Sequence, residues 1–183
     1  MTTLTHPDGD LRLSPVTDGR LLIEVEPRTR GLYVSRYEWE TGYPAELIDA
    51  LLAVKGPGWV IDEIRRDEDP IYVENDFRWD IFSFVDPAEF SGRDVLDFGS
   101  GCGSSAVVLG RMAPGCRITG VELLPEQADA ARMRAEHHGV DARFLLSPSP
   151  ESLPDDLGDF DFVLFSAVME HLLPAERRSL LPL

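Results

Sequence analysis

Cysteine is scarce in this chain. Only Cys102 and Cys116 occur, too few for the disulfide framework of a small secreted domain, and the simplest reading is a reduced cytoplasmic protein. No apolar run approaches the ~20 residues that a membrane-spanning helix needs. Residues 1–10 lack the basic-then-apolar order of a secretory leader. Positive charge is also short, with 17 Lys and Arg against 33 Asp and Glu and a net charge of −16. A field of that sign repels phosphate backbones and anionic lipid, so neither nucleic acid nor membrane is expected as a partner. The arginine clusters are brief (Arg28 with Arg30, Arg65 with Arg66, Arg177 with Arg178) and read as solvated faces. No set of His, Cys and acids has metal-ligand spacing, so no metal is expected. Internal repeats and low-complexity tracts are missing.

What is present suits a folded domain with a small appendage: 183 residues, 43% hydrophobic and 27% charged. Residues 1–10 read as a loose tail. Leu11–Ser14 and Arg20–Glu26 alternate around Asp18-Gly19, which predicts a hairpin. Tyr33–Tyr43 is aromatic-rich and ambiguous. Pro44 suits the first position of a helix through Leu47, Ile48, Leu51 and Leu52. Gly56-Pro57-Gly58 breaks that helix, a second follows over Val60–Arg66, and Asp67–Pro70 reads as a loop. Phe77–Val85 predicts a short aromatic helix. The hinge is expected at Asp86-Pro87 and Ser91-Gly92, which makes residues 1–90 an α+β appendage and 91–183 the main domain.

From residue 91 short apolar strands alternate with helices. Val95–Phe98, Arg117–Glu122, Arg143–Leu146 and Phe160–Phe165 read as strands, the last apolar on both faces. Ser104–Met112 reads as a helix stopped by Pro114-Gly115. Pro125–His138 is a second helix, with proline at its start and Gly139 at its end. This alternation predicts an α/β fold, a Rossmann-like doubly wound and mostly parallel sheet.

The chemistry concentrates in Asp97-Phe98-Gly99-Ser100-Gly101-Cys102-Gly103. Glycines at a strand end permit a tight turn and a close approach of backbone to ligand. The following helix offers free N–H groups and a positive dipole end. Glu122 closes the second strand, roughly the ~20 residues downstream at which such folds hold ribose hydroxyls. Gly101-Cys102-Gly103-Ser104-Ser105-Ala106 also fits the dinucleotide pattern G-x-G-x-x-A, which keeps an NAD-dependent oxidoreductase open. Asp97 argues against it, since a carboxylate there repels a dinucleotide's phosphates and suits a ligand carrying cations.

Val95–Gly103 resembles motif I of the class I S-adenosylmethionine (SAM) dependent methyltransferases. Gly120–Glu126, leading into Ala130-Ala131-Arg132, resembles the strand-to-helix segment that follows it. Phe160–Leu172 resembles the fourth-strand motif of the small-molecule methyltransferases in that superfamily. The resemblance covers about residues 91–183. It implies that Asp97, Gly99, Ser100, Gly101 and Gly103 hold the methionine end of SAM, that Glu122 holds the ribose and that Leu123 packs on adenine. Ser166 and Ala167 would lie near the reactive methyl.

Three positions depart from the family's pattern. Ser149 stands where an Asp usually faces the adenine amino group, and Leu124 replaces the Ser or Asp that usually caps the next helix. The chain also ends at Leu183, before the last three of the family's seven strands. The fourth strand would then be an open apolar edge. Either the chain is a fragment, or a partner chain or second copy covers that edge.

Cys102 reads as a space-filler in the loop and Cys116 as an ordinary buried thiol. His171, beside Glu170, is the candidate general base, needed only when the acceptor loses a proton. His137 and His138 fit a helix C-terminus. Tyr72, Trp79, Phe82 and Phe84 read first as packing and second as an acceptor or lid surface. The expected function is methyl transfer from SAM to O, N or C of a small molecule, with the appendage covering the cofactor. A SAM-binding module without turnover is the alternative.

Overall fold

The computed structural model describes residues 1–72, 77, 79 and 81–180. It divides into two compact units, residues 1–77 and 78–183. The expected hinge around Asp86–Gly92 therefore falls inside the second unit. Phe90 explains this: it is buried and packs on Phe162, with ring centroids 4.5 Å apart. Among the described residues no helix is long and apolar enough to cross a membrane.

The first unit is an antiparallel meander of four strands, β1 (Thr2–His6), β2 (Gly9–Pro15), β3 (Leu21–Pro27) and β4 (Glu38–Thr41), in spatial order β1-β2-β3-β4. The predicted hairpin is β2–β3, with Asp18 and Gly19 both left-handed at its tip (φ 57° and 76°). Residues 2–6 are a strand, not a tail. Their backbone pairs with β2 from Thr2↔Leu13 to His6↔Gly9, so the ladder, and not an apolar pattern, orders them. Leu11, Leu13, Ile23 and Val25 line the buried face.

Helices α1 (Ala45–Lys55) and α2 (Val60–Glu68) complete that core with Leu47, Ile48, Leu51, Leu52, Val60, Ile61 and Ile64. Pro44 is the residue before α1 rather than its first helical residue. Asp67 and Glu68 extend α2 where a loop was expected. Asp67 accepts from the buried Tyr43 hydroxyl, and Glu68 accepts from the Gly42 N–H at 2.9 Å. These polar anchors hold the last turn in place.

The second unit carries a parallel sheet of β5 (Asp94–Phe98), β6 (Arg117–Glu122), β7 (Ala142–Leu146) and β8 (Phe162–Leu164), ordered β7-β6-β5-β8. Helix α3 (Ser104–Met112) joins β5 to β6, and α4 (Pro125–His138) joins β6 to β7. The chain then crosses to the other side of β5, so the strand order reverses there. Ligand crevices in open α/β sheets form at the carboxyl ends of strands beside such a reversal.

α4 buries Ala128, Ala130, Ala131 and Ala135, and these small side chains allow a close approach to its neighbours. Gly139 ends the helix in a left-handed conformation, φ 63°. On the other side, Leu96, Phe98, Val121 and Leu157 form a cluster joined by Leu145, Leu153, Phe165, Val168 and Leu180, the last on α5 (Pro174–Leu180).

β8 is shorter than the expected Phe160–Phe165; its three residues are all apolar, and Val163 is left 50% exposed. Among the described residues it pairs only with β5. In the predicted helix Phe77–Val85, Arg78 and Asp80 lie outside the described residues. Ile81–Phe84 form turns, the Phe84 and Val85 amides both donating to the Ile81 carbonyl.

Candidate functional site

The loop after β5 is built by its backbone. The Gly99 and Ser100 amides both donate to the Val121 carbonyl, at 2.9 and 3.1 Å, and fold the chain back over the end of β6. Gly99, Gly101 and Gly103 are all left-handed, at φ 70°, 52° and 78°. At Gly103, which precedes α3, the constraint is twofold. The backbone is one that L side chains avoid, and a Cβ would meet Ala131 Cβ at 2.8 Å and Phe144 Cζ at 3.1 Å.

Glu122 closes the opposite wall. Its Oε2 accepts from the Gly101 N–H at 2.9 Å, and its Oε1 from the Leu123 and Leu124 N–H groups at 2.7 and 3.1 Å. Leu124 offers α4 no side-chain cap, and the Glu122 carboxylate lies near the positive end of that helix, bound to the two amides that lead into it. Of its roughly four lone-pair sites, Glu122 keeps at least one for a ligand donor. Leu123 is 42% exposed at the lip.

Asp97 lies beneath the loop, buried at 2% exposure, and its Oδ2 has no hydrogen-bond partner among the described residues. Burial and then the Glu122 charge push its carboxyl up to about 7. The Ser100 hydroxyl is likewise buried and without a partner among the described residues. Two orphaned polar groups under one glycine loop are unusual, since buried polar atoms are generally paired.

The segment after β8 reaches the same loop. Ala167 is left-handed at φ 53°, a strained conformation for a residue with a side chain. Val168 covers Gly99 so closely that a Cβ there would lie 2.5 Å from Val168 Cγ2. Ser166 and Ala167 are exposed beside it.

Ser149 is engaged locally: its Oγ lies 2.7 Å from Ser152 Oγ and accepts from the Glu151 N–H at 3.3 Å. His171 ends a single 3-10 turn (Met169–His171), is exposed, and its amide donates to the Val168 carbonyl at 2.9 Å. No hydrogen bond joins it to the loop among the described residues. Of the aromatics, Phe82 packs edge-on against Phe90 at 6.2 Å, whereas Trp79 and Phe84 are 70% and 84% exposed. The packing reading fails for that pair. Tyr72 lies in the first unit under the Arg65 guanidinium, 5.6 Å away.

Both thiols are buried, and burial raises Cys116 to about 11. Thiolate, not thiol, is the nucleophile. An aromatic disulfide reagent at pH 8 is therefore expected to label neither cysteine in the native chain and both in denaturant. Rapid native labelling would contradict this packing.

Sequence reasoning missed Arg134. It is fully buried in α4, and its Nη1 donates to the Cys102 carbonyl at 2.8 Å. A helical arginine normally reads as solvent-facing, and no local pattern distinguishes this one. Among the described residues no group of His, Cys, Asp or Glu could hold a metal ion.

A glycine loop at a strand-order reversal, with an acid closing the neighbouring strand, defines a Rossmann-like ligand-binding domain. Residues 95–182 match the methyltransferase domain family model. The chain is 33% identical over 87 residues to the ubiquinone biosynthesis O-methyltransferase of Methylocella silvestris, covering 48% of this chain and 33% of that protein. It is 31% identical over 101 residues to the ribosomal protein L11 methyltransferase of Shewanella pealeana, covering 55% and 31%. Among solved structures it resembles a Pyrococcus abyssi tRNA (uracil-54, C5) methyltransferase in complex with S-adenosyl-L-homocysteine. That likeness has 26% identity, a TM-score of 0.41 and coverage of 51% of this chain and 23% of that one. Residues 95–182 thus match the methyltransferase domain family and are similar to SAM-dependent methyltransferases. The chain spans about a third of the length of these curated relatives.

Proposed function

We propose that this chain binds SAM in the crevice between the glycine loop and Glu122 and transfers its methyl group to an O, N or C atom of a small molecule. The observation that carries the reading is Asp97: a buried carboxylate oxygen with no partner among the described residues, under a glycine loop. A cationic ligand group satisfies it, and SAM offers an ammonium and a sulfonium. A dinucleotide, with its phosphates, does not.

In this reading Asp97 and the glycine loop hold the methionine end, with Gly99, Gly101 and Gly103 keeping the backbone bare for close approach. Ser100 supplies a hydroxyl that is already desolvated. Glu122 takes the ribose hydroxyls, Leu123 covers one face of adenine, and Ser149 meets its edge. When bound, SAM supplies an electrophilic methyl: the acceptor's lone pair forms the new bond to carbon as the carbon–sulfur bond breaks, its electron pair staying on sulfur. The protein's contribution is positioning and the exclusion of water. Ser166 and Ala167 flank the acceptor, and His171 takes a proton where the acceptor must lose one.

The small-molecule acceptor rests on the likeness of residues 160–172 to the fourth-strand motif of small-molecule enzymes and on the net charge of −16, which disfavours polyanions. Two cysteines, both free and buried, are in keeping with a reduced, cytoplasmic setting.

Calorimetric titration of the purified chain with S-adenosylhomocysteine, with NADH as control, tests the cofactor reading. Micromolar affinity is expected for the former and none for NADH. Glu122→Ala should weaken binding about 10- to 100-fold, the loss of one or two hydrogen bonds to a charged group. A folded chain that ignores S-adenosylhomocysteine, or that prefers NADH, overturns it.

A further inference from the structure

The face of α4 that meets the glycine loop is a stripe of three residues at helical spacing, Gln127, Ala131 and Arg134. Each addresses a different residue of the loop. Gln127 Oε1 lies 3.4 Å from where a Gly101 Cβ would stand. Ala131 leaves no room for one at Gly103, with its Cβ at 2.8 Å. Arg134 Nη1 donates to the Cys102 carbonyl at 2.8 Å from a fully buried position. Gly103 N also donates to the Ser100 carbonyl at 2.9 Å, which closes the loop on itself.

A run of left-handed glycines is conformationally permissive. The Gly99, Ser100, Gly101 and Gly103 amides already donate to Val121, Glu122 and Ser100, whereas the Cys102 carbonyl is gripped from outside the loop. We propose that Arg134 is a positioning residue: from α4 it grips the Cys102 carbonyl and thereby fixes the path of the loop over Asp97 and Glu122, with Gln127 and Ala131 bracing either side. A buried guanidinium is hard to replace here, because its rigid fork reaches a carbonyl across the helix–loop gap and offers further donors to neighbouring groups. This inference rests on the reading that the loop holds SAM.

The test compares Arg134→Met and Arg134→Lys with Leu157→Ala, which opens a cavity on the opposite face of the sheet. Thermal unfolding, S-adenosylhomocysteine affinity and amide chemical shifts of Gly99, Gly101 and Gly103 are measured for each. Arg134→Met is expected to lose about tenfold or more in affinity and to shift the three glycine amides before ligand is added. Arg134→Lys should recover part of both. Leu157→Ala should lower the melting temperature without either effect.

Glycine amides unchanged in Arg134→Met, or an affinity loss no larger than that of Leu157→Ala, overturns the proposal. Should Arg134→Met fail to fold, Arg134→Lys and Gln127→Ala carry the same comparison through the amide shifts. A wild-type chain that does not bind S-adenosylhomocysteine defeats the functional reading instead, while the ligand-free amide shifts still decide whether Arg134 sets the loop.

Discussion

Asp97→Asn is expected to stabilise the ligand-free protein at pH 8 and to weaken its binding of SAM in the same sample. The two effects have one cause. Burial, with the Glu122 charge added, raises Asp97 from 3.8 to about 7. A carboxyl raised on folding favours the folded state while protonated and loses that advantage as pH climbs from the unfolded toward the folded value. The window here runs from about pH 4 to about pH 7. Beyond it the native chain holds an ionised, unsatisfied carboxylate at a penalty on the order of 4 kcal/mol, the equivalent of that shift.

Asparagine removes the ionisation and hence the penalty. A bound ammonium reverses the balance, because it favours the ionised form. Affinity of the wild-type chain should therefore rise with pH through about 7, while the Asn variant stays flat. The two proteins should bind similarly at pH 5 and differ about 100-fold at pH 8, the worth of a charge-assisted contact. Denaturant unfolding and calorimetry at both pH values decide the matter. Parallel pH profiles for the two proteins would remove Asp97 from the site.

Gly103→Ala should be among the most damaging methyl additions in the chain. The left-handed conformation, φ 78°, costs a non-glycine residue about 1–2 kcal/mol. The new Cβ would also press on Ala131 at 2.8 Å and Phe144 at 3.1 Å, and overpacking of this kind typically adds about 1–3 kcal/mol. A total of about 2–5 kcal/mol is expected in urea unfolding, together with loss of cofactor binding as the loop moves off Ser100 and α3. Gly139→Ala provides the control. It is left-handed too, φ 63°, but nothing lies within 4 Å of its added Cβ, so only the backbone strain applies. Equal losses in the two variants would show that the close packing of the loop on α4 contributes nothing.

These residues also show why some features could be read from the chain alone. The glycine loop announces itself because left-handed backbone admits few residue types and the spacing follows the turn. The parallel sheet follows from strands and helices alternating at short intervals. Strand β1 stayed hidden because Thr2–His6 has one aliphatic residue, Leu4, and its order comes from hydrogen bonds to β2, a partner that no local pattern names. Arg134 stayed hidden because burial of a guanidinium depends on what surrounds the helix. The exposed Trp79 and Phe84 were misread for the same reason in reverse, since aromatic residues near a hinge carry no mark of which side faces water.

The strand order has a consequence in time. Asp94 and Arg117, at the starts of β5 and β6, are 23 residues apart and grip each other through two bonds of 2.7 and 2.6 Å. Asp94 meets Asp161, just before β8, across 67 residues. Closing the longer loop exacts more chain entropy and is slower. Pairing β5 with β6 and β6 with β7 closes shorter loops than pairing β5 with β8, so the smaller entropy cost favours the first three strands pairing before the fourth. On that order Val168, carried beyond β8, would settle over Gly99 only after the three-stranded core had formed, a sequence that pulsed hydrogen exchange during refolding would read out.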